Sequence, residues 1–184
     1  MQTKNAQELK TVPEGYTTVT SWVISPSTAD LIEFMKSTFN AEEIPNSRLK
    51  NAEGAIIHAV VKIGNAMIML FDSRKGWSPS PAFLSVYVGD IEETYQKCLQ
   101  FGAIPVTEIT TLWFGEKVCR ILDPLGNLWW INQRVDEVDL TDPEEVKKRS
   151  TTQEAIKGID YIQKSLDEAM KRQAKFLIDK YSSR

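Results

Sequence analysis

One order of structural elements occurs twice in this 184-residue sequence. In the first half, a run rich in β-branched residues at 16–25 predicts a strand, and a helical apolar stripe follows between residues 27 and 39. Three further strand-like segments complete this half, at 42–49, 55–63 and 66–71. The segment order of the first half is therefore β-α-β-β-β.

The second half repeats this order between residues 83 and 132. A strand at 83–88 leads to a helix that begins at Asp90, with Glu93 placed as in a capping box, and that ends at Gly102. The strands that follow are 104–112, 117–122 and 128–132. A β-α-β-β-β unit that occurs twice predicts two modules of the same fold.

Two tight connections support the strand assignments. Gly64-Asn65 can supply the positive φ angles that a two-residue hairpin turn requires. The segment Asp123-Pro124-Leu125-Gly126 has the residue types of a type I turn. Residues 63–70 also match residues 125–132, which supports the repeat.

The sequence changes character after residue 139, where aromatic residues become rare and charged residues more frequent. Asp142-Pro143-Glu144-Glu145 is typical of a helix start. Apolar residues then recur at spacings of three and four, which predicts an amphipathic helix with a break near 150–152. This helix could pack on its own chain or on a partner, and the sequence favours neither.

Charge and composition exclude several classes of function. The net charge of −3 and the pI near 5.3 argue against a nucleic-acid partner. No stretch reaches the ~20 apolar residues that span a bilayer, and the N-terminus lacks an apolar signal core. We therefore expect a cytoplasmic protein with no membrane partner. Cys98 and Cys119 lack metal-site spacing, which predicts two buried, reduced thiols.

Three local patterns occur in order along the duplicated unit. The first lies within residues 15–43 and begins Gly-Tyr-Thr-Thr-Val-Thr, the second covers 57–72, and the third runs from Trp113-Phe114-Gly115-Glu116 to residue 129. Over residues 13–135 these patterns resemble the glyoxalase/bleomycin-resistance/dioxygenase superfamily, also called vicinal-oxygen-chelate proteins. The strongest resemblance is to the PhnB-like branch of bacterial proteins.

The resemblance implies an α+β fold in which two tandem β-α-β-β-β modules form a half-barrel cup, with a C-terminal helical extension. We expect the modules at about 15–74 and 81–134, joined by a linker at Gly76–Pro81. The family-like domain then covers 1–138, and the helical tail covers 139–184. Members of this fold often pair modules across chains, so the resemblance also implies a homodimer.

Metal-dependent members of the superfamily carry one metal ligand on the first and last strand of each module. Family spacing places those four positions at Thr20, Met69, Phe83 and Trp130, where the family pattern requires His or Glu. A hydroxyl, a thioether and two aromatic rings cannot replace imidazole or carboxylate ligands. We therefore expect no metal, no cofactor and no catalytic residue, which makes an enzyme the less favoured interpretation.

Without metal ligands, the sequence resembles the binding proteins of the superfamily, which hold a small molecule in the cup. The predicted function is metal-independent binding of an apolar or aromatic ligand. The expected ligand-binding residues are Thr20, Trp22, His58, Met69, Phe83, Trp113, Arg120 and Trp130. Two alternatives stay open: a metal-dependent lyase or dioxygenase of the same superfamily, and a protein-interaction module that uses the C-terminal helix.

Several of these residues also have ordinary structural interpretations. His58 can be a hydrogen-bonded residue at the sheet surface, and Arg120 can form a solvated pair with Glu116. The tryptophans can be core residues. Because neighbouring residues on a strand face opposite sides, Trp130 in the cup would place Trp129 against the helices.

Overall fold

The computed structural model describes residues 10–78 and 80–181, with side chains to Asp179. The first module forms a sheet in the order β1-β5-β4-β2, with β3 paired to β4. Only the β1–β5 pair is parallel. Its elements are β1 (Ser21–Ser25), α1 (Thr28–Phe39), β2 (Glu42–Glu43), β3 (Leu49–Lys50), β4 (Ile56–Ile63) and β5 (Ala66–Asp72).

The second module forms a sheet in the order β6-β9-β8-β7, again with one parallel pair, β6 with β9. Its elements, and the two helices that follow them, are β6 (Phe83–Tyr87), α2 (Ile91–Gln100), β7 (Ile104–Leu112), β8 (Glu116–Leu122), β9 (Leu128–Arg134), α3 (Pro143–Ser150) and α4 (Gln153–Tyr181). The predicted α+β fold with two β-α-β-β-β-type sheets and a long C-terminal helix is confirmed.

Two predictions about the first module need correction. The strand expected at 16–25 begins only at Ser21, because β1 is paired with β5 from Ser21 onward and the preceding run has no neighbouring strand in the sheet. The single strand expected near 42–49 is divided into β2 and β3. Asn46, with φ of 59°, lies in the turn between them.

The predicted helix starts and turns form as the residue types require. The Asp90 carboxylate accepts a hydrogen bond from Glu93 N at 2.8 Å, and Asp142 accepts one from Glu144 N at 2.9 Å. Ile63 pairs with Ala66 across the two-residue turn, where Gly64 has the expected positive φ of 57° but Asn65 does not have a positive φ. Gly126 N donates to Asp123 O at 3.0 Å and closes the second predicted turn.

The matched segments 63–70 and 125–132 are not equivalent residue by residue. Ile68 and Leu70 face the apolar core in the first module, whereas Trp129 and Ile131 do so in the second. The match pairs Ile68 with Trp130, which faces the other way. The reason is the connection: two residues join β4 to β5, but five residues join β8 to β9, so the side-chain alternation shifts by one.

One apolar core lies between the two sheets and the helices α1 and α2. The rings of Phe39 on α1 and Trp129 on β9 are 4.6 Å apart, so the first module packs directly on the second. Cys98 and Cys119 lie in this core as free thiols, as predicted. Burial raises the pKa of both thiols to about 12, so neither is a thiolate at neutral pH.

The long helix α4 packs on its own chain, which resolves the alternative that the sequence left open. It lies on the face of the second sheet that points away from α1 and α2. Ile162 contacts a cluster with Leu112 and Val118, and Ala169 contacts one with Leu122 and Leu128. The predicted break is confirmed, because α3 ends at Ser150 and α4 begins at Gln153. No helix among the described residues is long and apolar enough to cross a membrane.

Candidate functional site

The predicted ligand-binding residues are distributed over two sheet faces. We call the face of the first sheet that points away from the helices the open face; it carries Trp22, His58, Met69 and Phe71. The corresponding face of the second sheet, which α4 partly covers, is the covered face. Its predicted members are Phe83, Arg120 and Trp130.

Two predicted residues lie outside these sheet faces. Thr20 is half-buried and immediately precedes β1; its hydroxyl donates to Thr17 O at 3.2 Å. Trp113 lies in the turn after β7, with its ring 5.6 Å from that of Phe114. The site residues as a set stay a prediction, but the structure separates them into groups that a single ligand would not contact equally.

On the covered face, Arg120 and Trp130 lie beneath α4. The Arg120 guanidinium carbon is 4.1 Å from the Trp130 ring centre, and Nη1 donates to the Ile162 carbonyl on α4 at 2.6 Å. Phe83 stacks on Trp130 at 6.5 Å and stays half exposed. Trp129 faces the core and Trp130 the opposite side, as the strand alternation predicted.

The interpretation of Arg120 and Glu116 as a solvated pair is wrong. Arg120 is only 1% exposed, and Glu116 accepts a hydrogen bond from the Tyr87 hydroxyl instead. Burial lowers the pKa of the Arg120 guanidinium. The sequence carried no signal for its two hydrogen-bond partners, the main-chain carbonyl of Ile162 and the hydroxyl of Ser165, which lie more than 40 residues further along the chain.

On the open face, four rings form a continuous row, which we call the aromatic row. Trp22 is 50% exposed; its ring centre lies 5.7 Å from that of His58 and 5.6 Å from that of Phe71. Phe71 in turn lies 6.1 Å from Trp77. All three contacts are edge-to-face, a favoured arrangement of aromatic pairs that leaves ring faces available to a ligand.

His58 fits both of the interpretations that the sequence allowed. Its Nδ1 lies 3.0 Å from the Ser47 carbonyl. A carbonyl can only accept, so Nδ1 carries the proton and Nε2 is the acceptor nitrogen when the ring is neutral. The ring is half-buried against Trp22. His58 is thus a hydrogen-bonded sheet residue that also contributes to the open face.

Sequence reasoning missed two members of the aromatic row. Phe71 follows Met69 by two residues on the same strand, so the alternation of side chains could have revealed it. Trp77 lies in the linker, where no periodicity applies. It closes a turn in which its N donates to Arg74 O at 3.0 Å and Gly76 has φ of 82°.

A cavity of about 370 Å³ adjoins the Trp77 end of the aromatic row. A volume of this size lies within the ~300–1,000 Å³ range of small-molecule sites. Its walls come from both modules, from the linker and from α4, and its apolar lining consists of Ile24, Pro26, Trp77, Pro81, Leu125 and Leu177.

A larger cleft of about 860 Å³ lies between the β4–β5 hairpin, β6 and α2. Both acidic and basic side chains line it, among them Glu42, Lys62, Glu93 and Lys97. Its only tryptophan, Trp129, is buried in the core. This cleft is the larger space, but the exposed aromatic rings lie beside the smaller cavity, and we therefore place the candidate site there.

The residues at the family's metal positions do not fit a metal ion. Thr20, Met69, Phe83 and Trp130 provide one hydroxyl, one thioether and two rings, none of which replaces imidazole or carboxylate. Among the described residues, no three His, Cys, Asp or Glu side chains lie close enough together to share an ion. No chemical step through a metal can be derived from this donor set.

Comparison with known proteins relates the two-module part of the chain to a large group of proteins. The model of the family described as "Glyoxalase/Bleomycin resistance protein/Dioxygenase superfamily" matches residues 17–131. An uncharacterized protein of Mycobacterium tuberculosis, Rv0887c, is 28% identical in an alignment 123 residues long that covers 61% of this chain and 71% of that protein.

Solved structures share the fold at low sequence identity. TioX from Micromonospora sp. ML1 has a TM-score of 0.51 at 17% identity, over 67% of this chain and all of that one. The fosfomycin resistance protein FosX from Listeria monocytogenes has a TM-score of 0.53 at 12% identity, over 65% of this chain and 94% of that one. Identities this low relate the folds and carry no conclusion about ligands.

Proposed function

Because this chain belongs to the glyoxalase/bleomycin resistance protein/dioxygenase superfamily, we propose that it binds an apolar or aromatic small molecule without a metal ion. The ligand lies on the open face, against the aromatic row. The observation that carries this proposal is Trp22, a large ring that lies half exposed between two other aromatic side chains.

Several exposed apolar side chains lie close together at the open face. Trp22 and Trp77 are both about half exposed, and the exposed Leu49 pairs with His58 in the same sheet. Contiguous apolar surface of this kind marks ligand or partner sites on proteins. Burial of ~150 Å² of apolar ligand surface would contribute ~4 kcal/mol before association costs.

The open face is the better candidate of the two because α4 covers much of the other. Trp130, which occupies one of the family's metal-ligand positions, is half-buried beside α4. Arg120 donates a hydrogen bond to the Ile162 carbonyl. A ligand on the covered face would have to compete with these intramolecular contacts. On the open face, Trp22 and Met69 lie side by side in register and remain partly accessible.

Three finer expectations remain proposals. Membership of the PhnB-like branch rests on the sequence patterns alone. The proposed homodimer rests on the resemblance alone, because members of this fold often pair modules across chains. An interaction role for the C-terminal helix would have to use its outer side, where Ile156, Met170 and Ile178 are exposed, because the inner side packs on the second sheet.

Replacement of Trp22 by alanine should weaken ligand binding at least about tenfold, which corresponds to about 1.4 kcal/mol. The substitution removes the central ring of the aromatic row, and an aromatic contact together with its buried area supplies that energy. The measurement is calorimetric titration with the aromatic compounds that quench tryptophan fluorescence saturably. Phe101→Ala, which removes an equally exposed ring at the end of α2, is the matched control. Equal affinity in both variants would place the ligand elsewhere.

Protein purified without chelators should contain no stoichiometric zinc, nickel, iron or manganese. The reason is the donor set at Thr20, Met69, Phe83 and Trp130, which offers no imidazole or carboxylate. Elemental analysis by mass spectrometry measures the metal content directly. One equivalent of a transition metal that is lost on Met69→Ala would favour the alternative, a metal-dependent lyase or dioxygenase.

A further inference from the structure

We propose that the ligand is an amphipathic anion, whose apolar body enters the 370 Å³ cavity and whose single negative group is bound by Arg74 and Lys75. The inference rests on the proposed function, because the cavity adjoins the aromatic row through the Phe71–Trp77 contact. It adds the charge of the ligand and the residues that recognise that charge.

The charged residues that line the cavity are both basic. They are Arg74 and Lys75, and no aspartate or glutamate is among the described residues that line the cavity. Within the part of the chain that the structure describes, no ion pair joins either cation to a carboxylate. In a chain with a net charge of −3, two adjacent unpaired cations beside an apolar cavity favour an anion over a neutral or cationic ligand.

The turn that carries the two cations is held in place at both ends. Ser73 N donates to Ser25 O at 2.8 Å, at the end of β1, and Trp77 N donates to Arg74 O at 3.0 Å. The Arg74 guanidinium carbon lies 5.3 Å from the Trp77 ring centre. This cation–π contact holds the guanidinium at the cavity and leaves its N–H groups available for a carboxylate or phosphate oxygen.

The C-terminal helix contributes one apolar wall of the cavity. Leu177 of α4 meets Leu125 of the second module and Ile24 of β1 around the same space. Gly126 makes this approach possible: a Cβ there would lie 2.9 Å from Leu177 Cδ2, and its φ of +94° disfavours other residues. α4 lies outside the family match at 17–131, so the C-terminal extension contributes the Leu177 wall, whereas the other lining residues lie within the matched segment.

The test compares three probes of nearly equal shape: naphthalene-2-carboxylate, naphthalene-2-carboxamide and 2-naphthylmethylammonium. Their affinities for the full chain are measured by calorimetry at low and at physiological ionic strength. The variant is Arg74→Gln/Lys75→Gln. The matched control is Lys147→Gln/Lys148→Gln, which removes two adjacent exposed lysines from α3 and changes the net charge equally.

We expect the carboxylate to bind at least about tenfold more tightly than the carboxamide, and the ammonium compound most weakly. The ratio between carboxylate and carboxamide should fall to near one in Arg74→Gln/Lys75→Gln and persist in the control. Equal affinities of all three probes, or a ratio that the double variant retains, would overturn the inference and leave the proposed function standing. Absence of binding by all three probes would overturn both.

Discussion

Replacement of Asp123 by alanine is expected to lower the free energy of unfolding by about 3–5 kcal/mol. The Asp123 carboxylate is 1% exposed and accepts four hydrogen bonds, from Leu125 N, Asn127 N, Asn127 Nδ2 and the Trp129 indole. Alanine would leave all four donors buried without an acceptor. The turn would then lose the group that orders it between β8 and β9.

Burial raises the pKa of Asp123, and the hydrogen bonds from Trp129 and Asn127 act in the opposite direction. Asparagine at this position is expected to restore little of the stability. Its amide NH₂ would face the donors that now share Oδ2, Asn127 Nδ2 and the Trp129 indole N–H.

Urea denaturation of the variants measures these effects. Asp90→Ala is the control, because Asp90 is an exposed helix cap with one side-chain bond to Glu93 N, and its loss should cost only about 1 kcal/mol. A loss of similar size in Asp123→Ala and Asp90→Ala would show that the buried network contributes nothing beyond an ordinary cap.

Ala169→Asp is expected to release α4 from the second sheet. Ala169 is fully buried against Leu122 and Leu128, where a carboxylate would lose its contact with water beside apolar side chains. The amides of α4 should then exchange with solvent on the order of 100-fold faster, which corresponds to about 2.7 kcal/mol of docking energy.

Hydrogen exchange measured by mass spectrometry reports this release segment by segment. Ala174→Asp, on an exposed position of the same helix, introduces the same charge and should leave exchange of α4 unchanged. Amides of β4 and β5 should keep their protection in both variants, because they do not pack on α4. Unchanged protection of α4 in Ala169→Asp would mean that its contacts with the sheet contribute little.

Much of the fold was predictable because its signals are local. Because side chains alternate between the two faces of a strand, the sequence predicted that Trp129 and Trp130 lie on opposite faces. The residue types of Gly64-Asn65 and Asp123–Gly126 identified both turns. The helix starts at Asp90 and Asp142 follow from short-range hydrogen bonds. Such features depend on residues a few positions apart, so they can be recognised before any tertiary contact is known.

The candidate site was less predictable, because its members come from distant parts of the chain. Trp22, His58 and Phe71 become neighbours only through the pairing of β1, β4 and β5. The spacing of the family pattern predicted that the four metal-ligand positions, at Thr20, Met69, Phe83 and Trp130, belong to one site. It could not indicate that a helix outside the family pattern would cover one of them.

The sequence by itself determined the duplicated modules, the amphipathic tail and the poor metal chemistry of Thr20, Met69, Phe83 and Trp130. The tertiary structure alone decided where the tail packs. An amphipathic stripe shows that a helix needs an apolar partner, but many surfaces satisfy that need equally well. The choice was made by shape and by single contacts such as Arg120 to the Ile162 carbonyl and Gln173 to the Gly126 carbonyl. A main-chain acceptor is the same at every residue, so no sequence pattern reveals which carbonyl a side chain will find.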